Sequence, residues 1–273
     1  MRKRTFVALA AACGLSFAMA GAAYADQLAD IKAKGEITVA TEMHYAPFDM
    51  LVDGKYEGIN RDLFDAVAAE LGVKAKYIDL PWSSVLPGLE AGKFDFVDAP
   101  VTITAERMAR YRFTIPMGIA TVALLKRAGD DAIKAPADIA GKVAGSQKGS
   151  AQLEQLKAYA GTLSKPVDIR EYVNIDEAMA DLAAGRIEAV ANSMPLMGYA
   201  AVKRPDTFAL VMPPFGKPKY FAWVARKGDE TKSLVDAINA ALIKMHKDGR
   251  LDAINKKWLG ATPELPTTMP SVN

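Results

Sequence analysis

Apolar positions along the chain switch between a period of two and a period near 3.6. Leu63, Phe64, Val67, Ala68 and Leu71 lie on one helical face, with Asn60 as the expected cap and Gly72 as the stop. Glu36–Thr41 is a short β-branched run before this helix, and residues 74–80 form a second strand pattern after it. Trp82–Glu90 reads as a short helix closed by Gly92, followed by a third strand over 94–103. Strand, helix, strand, helix, strand in this order predicts a parallel sheet covered by helices.

A second series begins near Thr121 with the run 121–126. It continues with a strand over 142–146, a helix from Gly149-Ser150 through Tyr159, and a strand over 167–173. Asn174 caps a helix to Ala184, a strand covers 187–191, and Met194–Lys203 is helical with Pro195 in its first turn. Strands over 208–212 and 219–226 follow, then helices over Lys232–Lys247 and 251–258, and a Pro/Thr-rich tail. Two α/β series predict two lobes. Segments 114–123 and 212–221, which hold Pro116, Pro213, Pro214 and Pro218, are the candidate crossings between them.

The first 25 residues follow a different pattern. Arg2, Lys3 and Arg4 precede an apolar run over 6–20, and Ala23-Tyr24-Ala25 stands before Asp26. This is the layout of a cleaved secretory signal over 1–25. Cys13 is the one cysteine, so the remaining 248 residues have no disulfide and no thiolate chemistry. The expected location is the periplasm.

Composition narrows the function. The 34 Lys and Arg nearly balance the 32 Asp and Glu, and the net charge of +2 is too small for a nucleic-acid surface. With 51% hydrophobic residues the chain is expected to fold as a globular protein. His44 and His246 are the two histidines, which argues against a His-based metal site. No G-x-S-x-G elbow occurs, and Gly88 to Lys93 is one residue short of a phosphate loop and lacks its Ser/Thr. No cofactor is expected.

Candidate chemistry gathers at the predicted strand ends, where open α/β sheets bind ligands. Glu42 to Phe48 (EMHYAPF) follows the first strand, and Tyr45 there is either a ligand-facing ring or a packed loop aromatic. Trp82 follows the second strand, with inter-helix packing as its alternative role. Arg107 opens a helix after the third, where a guanidinium can grip a carboxylate at two points or pair with a nearby surface acid. Gly149-Ser150 opens a helix of the second series, either as an anion-binding terminus or as a plain cap.

The same residues carry a resemblance. Tyr45-Ala-Pro-Phe48 with Gly58-Ile-Asn-Arg-Asp62-Leu63 is similar to a YAPF…GFDxDL signature, and Thr102-Ile-Thr-Ala-Glu-Arg107 to an S-I-T-x-E-R motif. Leu86-Pro-Gly-Leu89, Gly92-Lys-Phe-Asp95, Gly141-Lys142, Gly149-Ser150 and Gly185-Arg-Ile-Glu-Ala189 extend the match. The chain thus resembles the family 3 extracellular solute-binding proteins, the periplasmic amino-acid-binding proteins of ABC uptake systems. The resemblance implies a type II periplasmic-binding-protein (Venus flytrap) α/β fold of two lobes joined by two crossing segments. Residues 26–118 would begin the first lobe, 119–218 form the second, and 219–273 return to the first and end in the tail.

It also implies roles. Arg107 would bind a ligand carboxylate with Thr102 and Ser150, Tyr45 and Trp82 would flank the ligand, and Glu42 would meet a polar or cationic group. Two positions depart from the family pattern. Ser193 stands where an Asp usually holds the α-ammonium, and Pro100 where a Ser often accepts from it. Asp98 and Glu42 are the candidate substitutes. The implied function is capture of an amino acid or related small carboxylate, by a monomer, for an inner-membrane ABC permease. A periplasmic dehydratase acting on a prephenate-like acid is the enzymatic alternative, and docking to a sensor is a third reading.

Overall fold

The computed structural model describes residues 26–271. The signal sequence expected over 1–25, with Cys13, lies outside the described residues. In chain order the elements are α1 (Gln27–Lys34), β1 (Glu36–Thr41), β2 (His44–Tyr45), β3 (Asp49–Val52), β4 (Lys55–Glu57), α2 (Ile59–Leu71), β5 (Lys74–Asp79), α3 (Trp82–Glu90), β6 (Phe96–Thr102), α4 (Ala105–Arg110), β7 (Tyr111–Phe113) and β8 (Gly118–Ile119). They continue as β9 (Val122–Arg127), β10 (Val143–Gln147), α5 (Ala151–Ala160), β11 (Asp168–Tyr172), α6 (Ile175–Ala183), β12 (Ala189–Ser193), α7 (Met194–Lys203), β13 (Phe208–Phe215), β14 (Tyr220–Arg226), α8 (Lys232–Lys247) and α9 (Arg250–Leu259).

Two five-stranded paths organise these elements. The first runs β5-β1-β6-β14-β7, with β8 added beside β14. The second runs β11-β10-β12-β9-β13. In each, the βαβ units give parallel neighbours, β1 with β5 and β6, and β10 with β11 and β12. In each, strands adjoining the crossings run antiparallel, β14 on β6 and β9 on β12. This is the type II periplasmic-binding-protein architecture. The chain passes between the sheets twice, and the two passages are bonded to each other, with Ala120 N donating to Lys219 O at 2.8 Å and β8 paired with β14.

Burial explains the strand patterns. Along β14, Phe221, Trp223 and Ala225 pack with Phe64 and Val67 of α2 and Val235 and Ile238 of α8, while Ala222 and Val224 face Val85 and Leu89 of α3. Both sheet faces are therefore covered, which is why these strands read as nearly continuous apolar runs.

Two differences from the sequence reading have local causes. Asn60 does not cap α2. Gly58 precedes the helix with φ of 136°, and a Cβ there would lie 2.2 Å from Phe48 O, so the close approach of the chain requires glycine. Asn60 is instead a fully buried member of α2 that donates to Asp49 Oδ2 at 2.6 Å and accepts from Trp223 Nε1 at 3.2 Å. The antiparallel meander β2-β3-β4 is the second difference, inserted where the sequence reading has only a loop.

Candidate functional site

Stretches at four strand ends converge. β1 ends at Thr41 and delivers Glu42, with Tyr45 three residues on; Trp82 begins α3 after β5; and Thr102 ends β6 with Arg107 in the following α4. From the other sheet, β10 ends at Gln147, and Ser150 caps α5, whose first turn carries Gln152. Glu42, Tyr45, Trp82, Ala99, Pro100, Thr102, Arg107, Gln147, Ser150 and Gln152 line one cavity. Of the candidates, Glu42, Tyr45, Trp82, Thr102, Arg107 and Ser150 are brought together, while Asp98 and Ser193 are not among the lining residues.

The two halves touch directly. Gln147 Nε2 donates to both Glu42 oxygens, at 2.9 and 2.7 Å. Gln152 Nε2 donates to Thr102 Oγ1 at 3.1 Å. Tyr45 OH donates to Asn192 Oδ1 and lies 3.1 Å from Ser193 Oγ. Gly149, at φ of 72°, presents a carbonyl that accepts from Trp82 Nε1 at 3.2 Å and from Arg107 at 3.3 Å. A second Arg107 nitrogen donates to Thr102 O at 3.3 Å, and its guanidinium lies 5.4 Å from the Trp82 ring centre. Carbonyls and a ring face thus fix the guanidinium in place.

Electrostatics single out two of these groups. Burial holds the Glu42 carboxyl up at about 7, against the opposing hydrogen bonds from Gln147 and the Trp82 backbone. Burial lowers Arg107 to about 10, which leaves it a cation at neutral pH. Burial also raises the Tyr45 phenol, so it is a neutral donor. Among the described residues no cluster of His, Cys, Asp and Glu is suited to a metal ion.

Asp98 corrects the sequence reading. It is fully buried on the α2 side of the first sheet, and its electrostatic partners are Asp49, Tyr56 and Arg61. Ala222 opposes Val101 while Val224 opposes Val97, so β6 carries extra residues between these pairs. Pro100, which has no N–H for the ladder, sits in that irregular stretch. Asp98 has the same parity as Phe96, which packs on Phe64 and faces away from the cleft. Ser193 is also fully buried, with its hydroxyl at Tyr45. Gln147 and Gln152 were absent from the sequence candidates. Their signal was position, one residue beyond an expected strand and two beyond the Ser150 cap.

Comparisons with known proteins agree with the fold. Residues 37–261 match the model of the bacterial extracellular solute-binding proteins, family 3. The L-cystine-binding protein TcyJ of Escherichia coli (strain K12) is 32% identical over 92% of this chain and 93% of its own. The structure of an ancestral arginine-binding protein bound to arginine superposes with a TM-score of 0.75 at 33% identity, covering 83% of this chain and 99% of the other. That of an ancestral amino acid-binding protein, a precursor of cyclohexadienyl dehydratase, gives a TM-score of 0.77 at 29% identity, covering 85% and 99%.

Proposed function

The chain belongs to the bacterial extracellular solute-binding proteins of family 3, and on that premise we propose that it captures an amino acid or related small carboxylate in the periplasm and delivers it to an inner-membrane ABC permease. The observation that carries this reading is the cavity lined by Arg107, Glu42 and two aromatic rings from one sheet and by Gln147, Ser150 and Gln152 from the other. In this proposal residues 26–118 and 219–273 form one lobe and 119–218 the other, with 1–25 removed on export. The protein acts as a monomer.

Arg107 takes the ligand carboxylate. Its donors already point at backbone oxygens, so a carboxylate that replaces Gly149 O converts a neutral hydrogen bond into a charge-assisted one. Thr102 and Ser150 supply hydroxyls beside it, Tyr45 and Trp82 enclose the body of the ligand, and Glu42 meets its polar or cationic group. Ligand binding favours the closed lobe arrangement by contacting both halves at once. The relatives are named for binding, and the neighbour connected with a dehydratase is itself described as an amino acid-binding precursor, so binding is preferred to catalysis.

A thermal-unfolding screen over amino acids and small carboxylates tests the proposal. A true ligand at 100-fold its Kd adds about 2.7 kcal/mol of stability, and its mass is unchanged after overnight incubation. A panel in which nothing raises the transition would reject the reading. A change in the ligand's mass would favour the enzyme.

A further inference from the structure

The meander β2-β3-β4 leaves the chain between β1 and α2, on the side of the first sheet, yet three of its side chains reach across to the second. Tyr45 OH of β2 donates to Asn192 Oδ1 of β12 at 2.5 Å, and Ser193 Oγ of the same strand lies 3.1 Å from that hydroxyl. His44 Nδ1 stands 3.4 Å from Asp176 Oδ2, in the first turn of α6. Met50 of β3, which opposes His44 in the ladder, receives Tyr199 OH of α7 at its sulfur, at 3.8 Å. Three consecutive elements of the second half of the molecule, α6, β12 and α7, therefore each meet this one meander.

The contacts differ in weight. The His44 and Asp176 side chains are 51% and 56% exposed, so water screens their pairing and it contributes little. A thioether sulfur is a weak acceptor. The Tyr45 bond forms out of water, because Tyr45 is 7% exposed and Asn192 and Ser193 are fully buried. Its ring is anchored on its own side, with the Phe48 and Phe221 ring centres 6.2 and 6.1 Å away. Its acceptor is anchored on the other side, because Asn192 Oδ1 also takes Ser193 N at 2.7 Å. A rigid ring thus carries one hydroxyl from a fixed base to a fixed receiver.

The remaining links across the gap involve groups that a bound ligand would compete for. Gln147 is on Glu42, Gln152 is on Thr102, and Gly149 O is on Trp82 and Arg107. The meander's receivers, Asn192, Ser193, Asp176 and Tyr199, do not line the cavity. Tyr45 does line it, but its hydroxyl is committed to Asn192.

We infer that the meander is a clasp between the lobes, in which the Tyr45 hydroxyl holds the closed arrangement through Asn192 and Ser193 whatever compound fills the cavity. This rests on the two-lobe binding reading above and adds a residue that sets affinity without selecting the ligand. The clasp fixes the closed fraction of the molecules, and the apparent affinity for any compound scales with that fraction.

Tyr45→Phe tests it. The variant keeps the ring against Phe48 and Phe221 and leaves Asn192 Oδ1 its bond from Ser193 N. In small-angle scattering without added compound, the variant is expected to show a larger radius of gyration than the wild type. Ser193→Ala, made from the other side, should act in the same direction and more weakly. In titration and stopped-flow with L-arginine, L-lysine and L-cystine, each compound that binds the wild type is expected to lose affinity by one common factor, about two- to tenfold. The loss should come through faster dissociation, with the order of preference unchanged. An unchanged radius in Tyr45→Phe would overturn the clasp. Unequal losses among the compounds would overturn it too, because they would make the hydroxyl a ligand contact. If none of the three binds, the scattering result decides the clasp alone, whereas a silent thermal-unfolding panel rejects the binding function and not the clasp.

Discussion

Asp49 and Asp98 are fully buried beneath the first sheet, outside the binding cleft. The donors to Asp49 are the neutral Tyr56 and Asn60, and neither Asp98 oxygen has a hydrogen-bond partner. Burial raises Asp49 from 3.8 to about 7 and Asp98 well above the same starting value. The unfolded chain releases these protons near pH 4, whereas in the folded chain Asp49 releases its proton only near 7 and burial raises Asp98 in the same direction. The folded state therefore holds more protons across that window, and stability should fall as pH rises through it. Glu42 titrates in the same direction, so the clean comparison is made in a Glu42→Gln background. Denaturant unfolding from about pH 4 to about pH 7 should show the decline, and Asp98→Asn should flatten it; a flat profile in the parent would mean the pair is ionised throughout. This pair was hard to read from sequence because parity along β6 is broken near Pro100, so Asp98 looked like a cleft residue. Asn60 looked like a cap because Asn favours that position, yet the requirement for glycine at 58 moved the cap and left Asn60 inside.

Helix and strand patterns were legible wherever a periodic run was long. Trp82–Glu90, Met194–Lys203 and Lys232–Lys247 have the bounds the pattern predicts, and Asn174 caps α6 by accepting from Glu177 N. The β2-β3-β4 meander was not legible because its strands are too short for alternation to register. Its one signal was Asp53-Gly54, the two-residue turn between β3 and β4, with φ of 51° and 74°. Two caps separate structural from functional roles at this scale. Asn174→Ala should cost about 0.5–2 kcal/mol of stability and leave ligand affinity unchanged. Ser150→Ala should cost a similar amount of stability and also weaken binding, because its hydroxyl ties Leu153 N to Gln147 O at the cavity wall. Denaturant melts paired with titrations check both; equal effects of the two variants on affinity would remove Ser150 from the site.

At the scale of the molecule, the family motifs made the two-lobe architecture legible, and three of them, Tyr45 to Phe48, Thr102 to Arg107 and Gly149-Ser150, follow strand ends and lie at or beside the cavity. What the sequence left unresolved was which side chains meet across the gap. Gln147 with Glu42, Gln152 with Thr102, and Arg107 with Gly149 join residues tens of positions apart in the chain, and no local pattern encodes such pairs. The two passages of the chain between the sheets are bonded side by side at Ala120 and Lys219. In the proposed mechanism closure about them would hold Arg107 against Gly149, to whose carbonyl it donates at 3.3 Å, so its guanidinium is where ligand capture and lobe closure would coincide. The most direct measurement is calorimetric titration of the wild type and Arg107→Ala with the tightest compound from the thermal screen. A single site is expected in the wild type, with a loss of about 2–5 kcal/mol on substitution because the ligand carboxylate is left desolvated and unpaired. Affinity within about threefold of the wild type, a difference of well under 1 kcal/mol, would contradict the assignment of this cleft as the carboxylate site.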